Sequence, residues 1–210
     1  MALVLLAQLS FLTYAEAALI AEWNFDDSNL VADAGTQAGT AGFSTTGGAV
    51  SFPPRGGGRA LQMAASTNQS YTLALSGTGL SDFQVTYEGL STPLFIFNIS
   101  QAQTWSWSTD NVTYSSAGVS QTGALTAGGY SSYSVDFSGV SAIEGAPSVY
   151  LRNEIQSGVF GINTNLRFDN VSVSAVPEPS GVMAVMIAII GIAFLIKKRR
   201  KNSPSCSDAS

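Results

Sequence analysis

The chain has 210 residues, a net charge of −5, one cysteine and no histidine. That length allows one ordinary domain with terminal segments. The missing histidine excludes every His-based triad, His metal site and His general base, and a single cysteine, Cys206, excludes a disulfide-stapled fold.

The start, "MALVLLAQLSFLTYAEA", is an apolar run that ends in Ala15-Glu16-Ala17, the small-x-small pattern of a signal-peptidase site. Gln8 and Ser10 interrupt the run, and it is too short to span as a stable helix. Residues 1–17 therefore read as a signal peptide, and residues 18–176 as the exported domain. That domain holds four arginines, eleven carboxylates and no lysine, a balance of −7. Such a surface repels nucleic acid and other polyanions, so no nucleic-acid partner is expected.

Along the domain, strand-like alternation persists and helical periodicity does not. Leu19, Ala21, Trp23 and Phe25 alternate with Ile20, Glu22 and Asn24. Val31–Gly48, rich in Gly, Thr and Ala, and "PPRGGGR" at Pro53–Arg59 read as long loops. The second lacks the Lys-Ser/Thr that a phosphate loop needs. Further runs follow at Tyr71/Leu73/Leu75, Phe83/Val85/Tyr87, Phe95/Phe97/Ile99 and Trp105/Trp107. Asp110-Asn111 predicts a tight hairpin, since both residue types tolerate positive φ. Tyr133/Val135/Phe137, "SVYLR" and "NLRFDNVSVS" complete the set. In the last run the apolar parity slips from Leu166 and Phe168 to Val171 and Val173, which predicts a bulge near Asp169-Asn170. About nine or ten short strands with one wet face predict an all-β fold, an antiparallel, jelly-roll-like β-sandwich. An up-and-down barrel is the alternative.

The chemistry available to this domain is narrow. No lysine remains for a Schiff base, and no strand run carries an acidic i, i+2 pair of the kind a sandwich glycosidase aims into a cleft. The expectation is a non-enzymatic domain. Trp105 and Trp107 share one side of a strand, as a core pair or as a platform for sugar rings. Glu22 and Asp169 lie on the first and last runs, which are neighbours in many sandwiches, and form the candidate site for a structural Ca2+. No other cofactor is expected.

The tail is more explicit. Pro177 and Pro179 hold an extended segment around Glu178. Gly181–Ile196 is uncharged and as a helix would span ~24 Å, short against a hydrocarbon core of ~30 Å. Lys197 and Lys198 can snorkel to lengthen the span. Lys197, Lys198, Arg199, Arg200 and Lys201 form a basic stop, so the residues after it, 202–210, are expected to be a polar cytoplasmic tail. Residues 177–201 are thus a candidate single C-terminal transmembrane helix with its flanks.

"VPEPSG", a short apolar helix and a terminal basic cluster resemble the PEP-CTERM sorting signal of bacterial exported proteins. The resemblance implies recognition of Pro177, Glu178 and Pro179 by an exosortase, a membrane protease-transpeptidase. It also implies a precursor in the bacterial inner membrane, with its C-terminus in the cytoplasm, and a mature form at the cell surface or in the extracellular matrix. The expected function is that of an exported, non-enzymatic β-sandwich surface protein, with extracellular polysaccharide as a candidate partner. The alternatives are a surface-displayed carbohydrate-binding module and a plain type I membrane protein.

Overall fold

Apolar side chains at every second position force this chain into sheets that each bury one face. The computed structural model describes residues 16–92, 100–120, 123–156 and 164–178. Twelve strands occur among them: β1 (Ala18–Trp23), β2 (Gly42–Thr46), β3 (Val50–Ser51), β4 (Pro54–Arg55), β5 (Gly58–Arg59), β6 (Leu61–Met63), β7 (Gln69–Leu75), β8 (Leu80–Ser91), β9 (Gln103–Ser108), β10 (Ser131–Asp136), β11 (Val149–Ile155) and β12 (Leu166–Pro177). One sheet has the order β10-β8-β12-β6-β3, with β1 also paired to β12. The other has the order β2-β7-β11-β9, and β4-β5 is a small hairpin. Every strand pair is antiparallel.

The two sheets face each other across one apolar core. Tyr71 of β7 meets Phe168 of β12 edge-on with ring centroids 4.9 Å apart, and Trp105 of β9 lies 5.6 Å from Tyr87 of β8. Tyr71, Leu73 and Leu75, Phe83, Val85 and Tyr87, and Tyr133, Val135 and Phe137 are all buried, as their alternation requires. The fold is an all-β antiparallel sandwich.

The predicted bulge is present. The β12–β8 register shifts between Asp169 and Ser172, and Asn170 takes φ = 48°. The extra residue returns Val171 and Val173 to the buried face that Phe168 occupies. Four expectations need correction. In β1 it is Ile20, not Leu19, that is buried, because the ladder to β12 slips between Leu19 and Ala21. The Val31–Gly48 loop contains β2, whose Phe43 enters the core and stacks 5.1 Å from Tyr71. Pro53–Arg59 is not loop throughout, since β4 and β5 pair there across Gly56 and Gly57, both at positive φ. The turn at Asp110-Asn111 is wider than a two-residue hairpin, because the flanking chain first pairs at Trp107 and Ser115. The Phe95/Phe97/Ile99 run lies outside the described residues.

Both ends of the sandwich's chain meet at one pole. Ala18 pairs with Ala175, Pro177 with Leu80, and the Glu178 N–H donates to the Gly79 carbonyl at 2.8 Å. The Leu75/Val149 end of β7 and β11 lies at this same pole, tied there by Gly77 N–H to Ala146 O and Gly145 N–H to Leu80 O. The described residues, which end at Glu178, belong to one compact unit. The predicted signal peptide, apart from its last two residues, and the predicted transmembrane segment lie outside the described residues. No helix among the described residues is long and apolar enough to cross a membrane.

Candidate functional site

The outward face of the four-stranded sheet is made by the residues that alternate with the core. Two rows of side chains cross the strands. Ser44, Thr72, Arg152 and Ser106 are ladder neighbours in one, and Thr46, Ser70, Glu154 and Thr104 in the next. The chain after β9 folds back over the first row and brings Tyr114 onto Arg152, whose guanidinium carbon sits 3.6 Å from the ring centroid. Together with Thr67 and Asn68 before β7 and Gln156 after β11, the β2, β7 and β11 members of these rows and Tyr114 line a groove of about 570 Å³.

The loop that forms one wall is held by its own polar groups. The Asp110 carboxylate accepts the N–H of Val112 and of Thr113, each at 2.8 Å, and the Ser108 hydroxyl at 2.8 Å. These bonds, led by the one from Thr113, pull the Asp110 carboxyl down to about 2. Ser108 in turn accepts the N–H of Asp110 and Asn111, and Asn111 adopts φ = 60°. Asn111 then accepts the Tyr114 hydroxyl at 2.5 Å. Burial raises the Tyr114 phenol above its ordinary range, against the opposing pull of the Thr72 hydrogen bond and the Arg152 charge, so Tyr114 stays neutral at physiological pH.

Arg152 and Glu154 are the charged residues of the groove. Arg152 Nη2 donates to Glu154 Oε1 at 2.7 Å, while Arg152 Nε is buried with no partner. Every other lining side chain is a hydroxyl, an amide or the aliphatic Ile155. The site therefore offers many donors and acceptors on an open floor, and its two charged groups are paired with each other. Nothing in it forms a nucleophile–base pair.

The sequence-predicted site residues lie elsewhere. Trp105 is fully buried between Tyr71, Tyr87 and Phe137, and its indole N–H donates to the Tyr87 hydroxyl at 3.3 Å. Trp107 packs on the edge of the core and donates its indole N–H to Ala117 O at 3.0 Å. The pair forms no open platform, since Trp105 has no exposed face for a sugar ring. The strands carrying Glu22 and Asp169 are neighbours, but Glu22 pairs with Ser172 in the ladder while Asp169 is ion-paired to Arg55. No group of three or more His, Cys, Asp or Glu among the described residues is placed to hold a metal ion. Pro177 ends β12 and Glu178 follows it on the pole described above; Pro179 and the basic stop, 197–201, lie outside the described residues.

Arg55 is the centre of a second polar cluster. It binds Glu88 at 2.8 Å and Asp169, and lies 3.8 Å from the Tyr130 ring centroid. Burial raises the Asp169 carboxyl in spite of Arg55, whereas the hydrogen bonds from Arg55 and Asn170 lower Glu88. The cation that the sequence suggested at Asp169 is thus supplied by the chain itself.

No family model and no curated protein sequence matches the chain. Solved structures do. The chain is similar to the CBM22-1 xylan-binding domain of Paenibacillus barcinonensis Xyn10C, at 14% identity and a TM-score of 0.51 over 79% of this chain and 99% of that one. It is similar to the CBM22-1–CBM22-2 tandem of the same protein at 14% identity and TM-score 0.52, covering 80% of this chain and 50% of that one. An arabinose-bound α-L-arabinofuranosidase, MgGH51, matches at 13% identity and TM-score 0.50 over 75% of this chain and 26% of that one. At such identities the likeness is one of fold.

Proposed function

We propose that the protein is a non-enzymatic glycan-binding β-sandwich that works outside the cell. The observation that carries this reading is the groove on the four-stranded sheet: long, open, lined by hydroxyls and amides, and walled by a loop fixed in place by Asp110. Sugar chains present alternating hydroxyls and C–H faces, and a floor of paired donors and acceptors beside one aromatic ring is complementary to both. The fold shared with a xylan-binding domain supports the same reading.

Tyr114 supplies the groove's aromatic surface, so its removal should weaken glycan retention. Tyr114→Ala is expected to lower affinity roughly tenfold, the loss of about 1.4 kcal/mol, with the thermal midpoint changed little because the ring is partly exposed. Affinity electrophoresis against a panel of soluble polysaccharides, beside a thermal melt, reads both effects. Unchanged retention on a glycan that the parent binds would remove the groove from the proposal.

The tail gives the destination. Pro177, Glu178 and Pro179, the apolar stretch and the basic block support sorting through a PEP-CTERM-type signal, with an exosortase-type membrane protease as partner. A precursor would sit in the inner membrane with its C-terminus in the cytoplasm, and the mature form at the cell surface or in the matrix. The sandwich releases its chain at Glu178, on the pole away from the groove, which suits display of a binding face. Replacing Pro177, Glu178 and Pro179 with alanine should trap the protein in the membrane fraction, and intact mass of the parent's surface form should end near 176–180. Only full-length chain, through Ser210, retained in the membrane of a host with active exosortase would point instead to a plain type I membrane protein.

A further inference from the structure

We propose that the groove selects an uncharged glycan chain, and that Glu154 sets this selection by occupying Arg152. The inference rests on the glycan-binding reading above and names the ligand class of that same groove. A uronate-bearing chain is held best by the planar fork of a guanidinium, which meets a carboxylate with two parallel N–H donors. The groove contains one guanidinium, and Glu154 and Tyr114 already engage it. Its Nη2 binds Glu154 at 2.7 Å, its face lies on Tyr114, and its Nε is buried in the sheet. Glu154 sits one ladder step along β11, on the same outward side, where the carboxylate of an acidic sugar would have to be.

The surroundings reinforce the choice. With Arg152 and Glu154 cancelling, the groove is neutral, while the exported domain carries −7. An acidic polymer approaching it meets repulsion and finds the groove's cation already ion-paired. Ser44, Thr46, Ser70, Thr72, Asn68 and Gln156 can each donate and accept, which is the pattern a neutral, hydroxyl-rich chain presents in return.

The test uses the full-length protein in a non-glycosidic detergent, with arabinan, galactan and unsubstituted xylan as neutral probes and polygalacturonate and alginate as acidic ones, at low and high salt. The parent should bind at least one neutral chain with little salt dependence. Glu154→Gln keeps the size and one acceptor of the side chain but frees the Arg152 charge. It should raise the ratio of acidic to neutral binding roughly tenfold, and the gain should fade as salt screens it. A parent that prefers the acidic polymers, or a Glu154→Gln ratio that does not move while the melt shows a folded protein, overturns the selection and leaves glycan binding standing. Binding to neither class removes the glycan-binding reading itself and the selection with it.

Discussion

Trp105→Ala should lower the unfolding free energy by about 3–5 kcal/mol, the usual range for emptying a buried aromatic site. The ring has no exposed surface and touches three others, Tyr71 at 5.5 Å, Tyr87 at 5.6 Å and Phe137 at 6.1 Å. These come from both sheets, so no single strand can shift to close the cavity. The variant also strips a donor from the Tyr87 hydroxyl, which itself donates to Gln103 Oε1, an acceptor shared with the buried Asn153 amide. Urea unfolding of residues 18–178 measures the loss. Trp107→Ala, at the edge of the core, should cost visibly less. Reduced glycan affinity with full stability in Trp105→Ala would return that residue to a binding role and contradict its burial.

Arg55→Met should cost about 2 kcal/mol at neutral pH, between the value of ~0–1 for exposed ion pairs and ~3–5 for breaking buried ones. Arg55 is 22% exposed and its partners Asp169 and Glu88 are 10% and 31% exposed, so solvent screens part of the loss. The variant leaves Asp169 charged against the sheet with no cation. Its pH dependence has a definite sign. Burial already raises Asp169 above the ordinary carboxylate range, and removal of Arg55 raises it further. A group with a raised folded pKa binds its proton more tightly when folded, so the variant regains stability as pH falls through that pKa. Glu88 works the other way in the parent. Arg55 and Asn170 hold it below its ordinary range, so its contribution is present above the unfolded value and is lost as pH falls through the folded one. The gap between parent and variant should therefore narrow in mild acid. A gap that stays constant between neutral and acidic urea titrations would mean that Asp169 is solvated after all.

The fold was legible wherever a strand buries every second residue. Tyr71/Leu73/Leu75 and Phe83/Val85/Tyr87 announce both the sheet and its inner face, and the parity slip at Asp169-Asn170 announces the bulge. β2 was hidden because "GFSTT" has one apolar residue, Phe43, and tertiary packing, not local pattern, makes it a strand. β4 and β5 were hidden because Pro and Gly read as breakers, yet Arg55 fastens that hairpin to Glu88 and Asp169 from far along the chain. The groove was harder still. Its residues are the polar half of several alternations, and a Ser or Thr pointing outward looks the same whether it meets water or a ligand. The one available signal was the excess of hydroxyls on outward positions of adjacent strands, at Ser44, Thr46, Ser70 and Thr72, and it becomes visible only after strand order is known. The tryptophans drew attention because aromatic pairs serve cores and platforms alike, and only burial separates the two.

The position of β12 has a consequence for how the molecule is made. It is the last strand among the described residues, and it pairs β8 on one side and both β1 and β6 on the other. A nascent chain that has emerged only as far as β11 can assemble the sheet of β2, β7, β11 and β9, but β1, β6 and β8 still present open edges. Ala18 waits for Ala175, nearly the whole length of the sandwich away in sequence. Pairings of such long range are slow to form, and unpaired edges invite association with other chains in the meantime. Vectorial emergence would thus leave the six-stranded sheet as a template with its middle missing, closed in a single late step when residues 166–177 arrive.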